Sequence, residues 1–223
     1  MQRRTALAIK RAIDLAGAVV GATVFSPVLA GTAVALLVTQ GRPLLFRQQR
    51  PGLRGEPFWI YKFRTMRAPR AGEVSLLTDQ QRLTPIGRFL RESSLDELPE
   101  LWNVLSGDMS LVGPRPLLME YLDHYTPEER RRHDMPPGLT GWAAVNGRHT
   151  LKFKERLALD VWYVDHWSLW LDLKIVATTI WQVLRRANVA ATQSITEIGF
   201  PVSTGSAAPT DAARSRTSAG DNR

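Results

Sequence analysis

The sequence contains no cysteine, and its acidic residues are outnumbered by basic ones. Without cysteine the chain has neither a disulfide framework nor a thiolate metal site, which fits a reducing compartment. The 29 lysines and arginines exceed the 21 aspartates and glutamates and give a net charge of +8. This surplus favours anionic partners such as nucleic acid, phosphorylated small molecules or an acidic membrane face. A length of 223 residues suits one well-buried domain with a small appendage.

Charge is absent from Leu15 to Val38, a run of 24 residues. A run of this length is typical of a membrane helix. Three interpretations compete: a cleaved signal peptide, an ordinary spanning helix, and a broken, re-entrant helix. The run is too long for a signal peptide, and Ser26-Pro27 interrupts it.

Proline at position 27 favours the re-entrant helix. Pro27 lacks an N–H and clashes with the preceding turn, so we predict a kink near Ser26 and two arms of about 12 residues. Each arm is then roughly 18 Å long and cannot cross a hydrocarbon core of about 30 Å. Both flanks are basic, whereas a spanning helix carries its positive excess on the cytoplasmic side only. We therefore predict a re-entrant membrane helix over residues 1–40, with a spanning helix charged at both ends as the alternative.

The rest of the sequence predicts an α+β fold, mostly helical, with one domain over residues 41–200. Residues 44–66 place β-prone residues around a Pro-Gly and a Gly turn, which predicts a β-hairpin. Residues 84–93 begin with Thr-Pro, a usual helix cap and first-turn pair, and predict a short amphipathic helix.

The C-terminal third combines a helical pattern with tryptophan. Residues 155–186 contain four of the seven tryptophans. Aromatic side chains beside lysine and arginine suit the headgroup layer, so one interpretation is a helix pair lying at the membrane surface. The alternative is that these tryptophans pack in an ordinary core. Residues 201–223 have almost no large apolar side chain and predict a disordered tail.

An acidic cluster lies in "RESSLDELPELW", residues 91–102. Proline fits a helix only in its first turn, so Pro99 requires a helix that begins near Ser94 or Asp96, with Gly107 as its C-terminal cap. Ser94 and Glu97 fit the S-x-x-E capping box, and carboxylates at a helix start are usually caps. Two further acids, Glu92 and Glu100, are expected to be solvated.

The second interpretation of this cluster is chemical. The flanking segments supply cations that can bind phosphate: Lys62, Arg64, Arg67, Arg88, Arg91 and Arg115. A carboxylate among such cations stays ionised and can act as a nucleophile or a magnesium ligand.

Four motifs carry a resemblance to a known family. They are "KFRTM" (62–66), "LTPIGRFLRESSLDELPELWNVLSGDMSLVGPRP" (83–116), "PGLTGWAAVNGR" (137–148) and "LDVWYVDHWSLWLDLKIV" (159–176). In order and spacing the chain resembles the bacterial sugar transferases, the monotopic polyprenol-phosphate phosphoglycosyl transferases, over roughly residues 8–190. Its size is similar to that of the minimal members of the family.

The resemblance implies an enzyme that moves a phosphosugar from a UDP-sugar to a polyprenol phosphate such as undecaprenyl phosphate. UMP is released in this reaction, the first membrane step of glycoconjugate or exopolysaccharide biosynthesis. The family's catalytic acidic pair matches Asp96 and Glu97. The aspartate is implied to attack the β-phosphate and to form an aspartyl phosphosugar, while Glu97 acts as a base or orients the metal.

The resemblance also implies a magnesium cofactor, with Asp96 as a metal ligand. The helix break matches Ser26 and Pro27, and the family's basic residues match Lys62, Arg91 and Arg115; the neighbouring Arg64 is a fourth expected substrate-binding residue. The expected partners are a UDP-sugar, polyprenol phosphate, the lipid bilayer and, as one option, a second copy in a homodimer, but not nucleic acid. The expected location is the bacterial inner membrane, with the catalytic domain facing the cytoplasm.

Two positions depart from the family pattern. Ala144 replaces a glutamine that many members have, and His149 replaces an asparagine, so sugar or nucleotide contacts from this loop are open. A membrane-anchored scaffold without the chemistry is the alternative from another class, but it would have lost a core acidic or basic motif residue, and none is missing. A nucleic-acid binder would need basic and aromatic residues interleaved on a soluble domain, which the apolar N-terminus argues against.

Overall fold

The computed structural model describes residues 2–68, 79–147 and 151–185. Helices dominate, with two small two-stranded sheets, which confirms the predicted α+β class. The predicted tail at 201–223, the end of the predicted catalytic domain and His149 lie outside the described residues.

Two helices at the N-terminus meet at the predicted break. Helix α1 spans Gln2–Val24 and α2 spans Ser26–Gln40, with Pro27 in the first turn of α2 and a bend of 58° between them. The Ser26 hydroxyl donates to the Thr23 carbonyl at 2.8 Å. Among the described residues, no single helix is long and apolar enough to cross a membrane. The bent pair has the length and composition of a broken span or a re-entrant loop.

The polar half of α1 docks against the rest of the molecule. Lys10 Nζ lies 2.7 Å from Asp172 Oδ2, and both side chains are nearly buried. Arg11 donates to the carbonyls of Val104 and Leu105 at 2.6 and 3.0 Å. The charged residues of α1 therefore tie the N-terminal helix to elements 93 to 162 positions further along the chain.

The predicted hairpin is confirmed. Strands β1 (Leu45–Pro51) and β2 (Pro57–Phe63) pair in antiparallel fashion around a 3-10 turn at Leu53–Gly55. In β2 the buried side chains Phe58 and Ile60 alternate with exposed ones, as expected for a strand with one buried face. The same period of two brings Lys62 to the face that carries Phe58 and Ile60.

A run of short helices follows. It comprises α3 (Asp79–Arg82), α4 (Pro85–Glu92) and α5 (Glu100–Ser106). Helix α4 begins as predicted, since the Thr84 hydroxyl accepts from the Gly87 amide. A side chain at Gly87 would place its Cβ 1.8 Å from the Thr65 carbonyl oxygen, so glycine lets α4 lie directly on the "KFRT" segment. Helix α5 ends at Gly107, whose φ of 98° fits the predicted C-terminal cap.

The second sheet joins segments that are distant in sequence. Strands β3 (Ser110–Val112) and β4 (Gly138–Thr140) are parallel. Between them lie α6 (Pro127–Arg130) and 3-10 turns at Met119–His124 and Arg131–Asp134, and β4 leads into α7 (Trp142–Val145).

Two longer helices end the described chain. Helix α8 spans Phe153–His166 and α9 spans Leu169–Leu184, with the Ser168 hydroxyl capping α9. This confirms the predicted helix pair. Trp170 is 74% exposed, and Trp162 and Trp181 are also exposed. Three of the four tryptophans therefore lie outside the core, as the surface interpretation requires.

Candidate active site

The acidic pair lies on a 3-10 turn, Leu95–Glu97, between α4 and α5. Ser94 precedes this turn in the left-handed region, with φ of 57°, so the chain reverses sharply after α4. The predicted capping box is wrong, because the Ser94 side chain makes no capping bond and the α-helix starts only at Glu100, after Pro99. The pair is thus held on a tight turn ahead of the helix.

Glu97 is bound by two cations, Lys62 and Arg115. Lys62 Nζ donates to Glu97 Oε1 at 2.7 Å. The Arg115 guanidinium binds both carboxylate oxygens, Nη2 to Oε1 and Nη1 to Oε2, the latter at 3.5 Å. Burial opposes ionisation of Glu97, but the charges of Arg115 and Lys62 outweigh it and hold the pKa of Glu97 well below its usual range. Glu97 therefore stays ionised and fixes both cations.

Asp96 is in the opposite situation. Asp96 is 8% exposed, and no described residue donates a hydrogen bond to its carboxylate. Burial, followed by repulsion from Glu97, raises the pKa of Asp96 to about 6, against the attraction of the nearby cations Lys62, Arg91 and Arg115. Two adjacent carboxyl groups thus differ strongly in proton affinity, a pattern that separates the roles of paired acids in active sites. Asp96 is therefore the carboxylate of the pair that forms no hydrogen bond or ion pair with a described residue.

The four predicted substrate-binding cations do not all converge. Lys62 and Arg115 meet at Glu97, and Arg91 lies near Asp96 while its Nε donates to the Thr65 hydroxyl at 3.1 Å. Arg64 points elsewhere: its guanidinium donates to the carbonyls of Gln40, Gly41 and Arg42, at the C-terminal end of α2. Arg64 therefore caps helix α2 at its C-terminal end.

Two residues outside the acidic pair position the site. The Asn103 side chain donates to the Trp59 carbonyl at 2.6 Å and accepts from the Tyr61 amide at 3.2 Å, so it fastens α5 to β2. Arg132 donates to the Arg115 carbonyl at 2.7 Å and forms a fully buried ion pair with Asp160. The only sequence signal for Asn103 was one polar residue inside an apolar helical run.

Glu100 was also missed, because its sequence position predicted a solvated side chain. The structure buries it, with 2% exposure, and Lys62 Nζ lies 3.0 Å from its Oε1. That expectation is wrong because the strand that carries Lys62 covers the first turn of α5. A position directly after the helix-starting proline was the only hint of this burial.

A family model described as bacterial sugar transferase matches residues 5–186. The chain belongs to this family. It is 47% identical over 192 residues to the uncharacterized sugar transferase EpsL of Bacillus subtilis, covering 86% of this chain and 95% of that protein. It is 43% identical over 189 residues to the UDP-glucose:undecaprenyl-phosphate glucose-1-phosphate transferase of Caulobacter vibrioides, covering 80% and 71%. It is 38% identical over 196 residues to the galactosyl transferase CpsE of Streptococcus agalactiae, covering 80% and 42%.

The acidic side chains of this bacterial sugar transferase can be compared with the ligands that magnesium requires. Magnesium prefers oxygen ligands, keeps several waters, and is usually held by one or two carboxylates together with substrate phosphates. Within residues 2–68, 79–147 and 151–185, no group of three or more acidic or histidine side chains could hold a metal ion. Both Glu97 oxygens are engaged by cations, whereas the Asp96 oxygens are not. Within the acidic pair, Asp96 is therefore the residue whose oxygens fit a magnesium ion.

Proposed function

We propose that this protein is a UDP-sugar:polyprenol-phosphate sugar phosphotransferase that works through an aspartyl phosphosugar. The observation that carries the proposal is the contrast between two neighbouring acids. The Asp96 carboxylate forms no hydrogen bond or ion pair with a described residue, whereas Glu97 is bound to Lys62 and Arg115. The Caulobacter relative is named a UDP-glucose:undecaprenyl-phosphate glucose-1-phosphate transferase, which supports the same substrate classes here.

In the first half-reaction, an Asp96 carboxylate oxygen attacks the β-phosphorus of the UDP-sugar. A bond forms between this oxygen and the β-phosphorus, and the bond from the β-phosphorus to the bridging oxygen breaks. That oxygen leaves with its electron pair on UMP, and the sugar phosphate remains on Asp96 as an acyl phosphate. A carboxylate activated in this way is an established kind of covalent catalyst.

In the second half-reaction, a phosphate oxygen of polyprenol phosphate attacks the same phosphorus. The bond between the phosphorus and Asp96 breaks, the carboxylate is regenerated, and the product is a polyprenyl diphosphate sugar. The two steps share one site, so the donor product must leave before the lipid phosphate reacts. The kinetics are therefore expected to be ping-pong.

The cations make the attack possible. A carboxylate approaching a diphosphate is repelled, and fixed positive groups in a partly buried site reduce that repulsion without reorganising during the reaction. Lys62 and Arg115 are held by Glu97, and Arg91 lies near Asp96. In this proposal Glu97 acts by orienting these cations.

Magnesium is part of the proposal, with Asp96 as its protein ligand. When bound, it would neutralise phosphate charge and polarise the phosphoryl oxygens as a Lewis acid. The chain's own contribution is the carboxylate of Asp96 and the two cations, Lys62 and Arg115, that Glu97 holds in place.

The membrane setting is also a proposal. The bent pair α1–α2 would enter the cytoplasmic leaflet of the bacterial inner membrane and return, and the exposed tryptophans of α8 and α9 would lie in the headgroup layer. Both substrates could then reach one site, since the nucleotide sugar comes from the cytoplasm and the polyprenol phosphate from the bilayer.

The test is UMP release by detergent-solubilised protein with magnesium, across a panel of UDP-sugars, with and without polyprenol phosphate. Wild-type protein should release UMP in a lipid-dependent manner with at least one sugar, and Asp96→Asn should release none. Glu92→Gln, the same kind of change at an exposed residue, is the matched control and should retain activity. Wild-type turnover in Asp96→Asn would exclude the assigned nucleophile, and no release by folded wild-type protein from any UDP-sugar would exclude the donor class.

A further inference from the structure

Glu100 is a buried acid that the proposed reaction does not use. It is the first residue of α5, and its side chain is almost completely enclosed. Lys62 Nζ lies 3.0 Å from Glu100 Oε1, but within the described residues this oxygen accepts no well-directed hydrogen bond. The contact is therefore an ion pair of imperfect geometry.

Lys62 is shared between two carboxylates. Its ammonium group donates to Glu97 at 2.7 Å and lies 3.0 Å from Glu100. Glu97 has Arg115 as a second cation, whereas Glu100 has no other ion pair among the described residues. When all four groups are ionised, the charges of Lys62, Arg115, Glu97 and Glu100 cancel, so this cluster has no net positive charge to attract a diphosphate.

Charged groups face Glu100 from four elements. Lys62 lies on β2, Arg50 on β1, Glu97 on the 3-10 turn, and Arg115 on the segment after β3. Burial is the largest influence and, with repulsion from Glu97, raises the pKa of Glu100 to about 7, against the attraction of Lys62 and Arg115. Glu100 therefore gains and loses its proton near neutral pH.

We propose that Glu100 is a positioning residue for the donor. When Glu100 is protonated, the Lys62 ammonium is available to bind the diphosphate; when Glu100 is ionised, it keeps that ammonium in an ion pair. The proposal rests on the proposed function, because it requires an anionic donor at Asp96. Protonation of Glu100 gives the cluster of Lys62, Arg115, Glu97 and Glu100 one net positive charge and frees one side of the ammonium. Donor binding and protonation of Glu100 then favour each other, as linkage requires.

The consequence is a pH dependence in the KM for the donor. The phosphates of a UDP-sugar are diesters and have no proton to lose near neutral pH, so the donor itself contributes none. Above the pKa of Glu100 the KM should rise by up to about tenfold per pH unit, because one proton must be bound before the donor. A neutral glutamine of similar shape mimics the protonated acid and should abolish this rise.

The experiment compares kcat and KM for the active UDP-sugar between about pH 6 and about pH 8.5 in wild-type, Glu100→Gln and Glu92→Gln proteins. We expect the KM to rise with pH in wild type and in the exposed control Glu92→Gln, and to stay flat in Glu100→Gln. A wild-type KM profile in Glu100→Gln overturns the proposal. If Glu100→Gln changes kcat and KM by the same factor relative to wild type at every pH, the proposal is also overturned, because such a change indicates a structural role alone.

A second measurement needs no variant of Glu100. Titration calorimetry of the UDP-sugar with Asp96→Asn protein, in two buffers of different ionisation enthalpy, counts the protons taken up on binding. Uptake of a substantial fraction of one proton at about pH 7.5 supports the proposal, and binding without uptake overturns it. Failure of the proposed function has a different signature, because wild-type protein would then release no UMP from any UDP-sugar at any pH.

Discussion

Replacing Asp96 with asparagine should stabilise the fold while it removes the proposed nucleophile. Burial, and after it repulsion from Glu97, raises the pKa of Asp96 from 3.8 to about 6. A difference of about two pKa units corresponds to about 3 kcal/mol of folding free energy at a pH where the side chain is ionised in both states. Asparagine has nearly the same shape without the charge, so the free energy of unfolding should increase by up to that amount.

The sign and the pH range of this gain follow from the direction of the shift. The pKa is higher in the folded state, so the folded protein binds the proton more tightly than the unfolded chain does. Wild-type stability therefore decreases as the pH rises from about 4 to about 6, and Asp96→Asn lacks this loss. The two proteins should have similar stability near pH 4 and differ by the full amount above about pH 7.

The assay is thermal unfolding of detergent-solubilised protein, followed by circular dichroism, with a chelator present to exclude divalent cations. For a chain of this size, about 3 kcal/mol corresponds to an increase in Tm of at most roughly 6 to 12 °C. Glu92→Gln removes an exposed carboxylate nearby and should leave the Tm almost unchanged. An unchanged or lower Tm for Asp96→Asn above pH 7, or a gain of the same size at every pH, would refute the reasoning.

Two further predictions concern the N-terminal helices. Lys10→Met should lower the free energy of unfolding by about 3 kcal/mol, because it leaves the carboxylate of Asp172 buried without its cation, and Lys10→Met/Asp172→Asn should recover most of this in the same thermal assay. Cysteines introduced singly at Gln2 and Gln40 of this cysteine-free chain should both react with an impermeant thiol reagent from the cytoplasmic face only; labelling from opposite faces would establish a spanning helix.

Local structure was predictable wherever the residues that determine it lie within one short segment. The Thr84-Pro85 pair starts α4, and Gly107 ends α5. Alternating β-prone residues around a glycine turn form the hairpin, and Pro27 breaks the N-terminal helix. Each of these signals acts within about one turn of chain, through a missing N–H, a side-chain cap or a positive φ.

The errors at the site share one origin. The capping box of Ser94 and Glu97 was a valid local pattern, but Lys62 and Arg115 attract the Glu97 carboxylate more strongly than a backbone amide does. Glu100 was expected to be solvated because nothing near it in sequence covers it. Its actual neighbours come from the strand that carries Lys62.

The family, the acidic pair Asp96 and Glu97, and the position of the helix break were all predictable from the order of the residues. Which acid of the pair is held in ion pairs depends on the folded structure, because Lys62 precedes Glu97 by 35 positions and Arg115 follows it by 18. The hairpin and the segment after β3 must fold against α5 before these charges meet. Ion pairing and burial depend on distances in space, so the difference in proton affinity between Asp96 and Glu97 is a property of the fold.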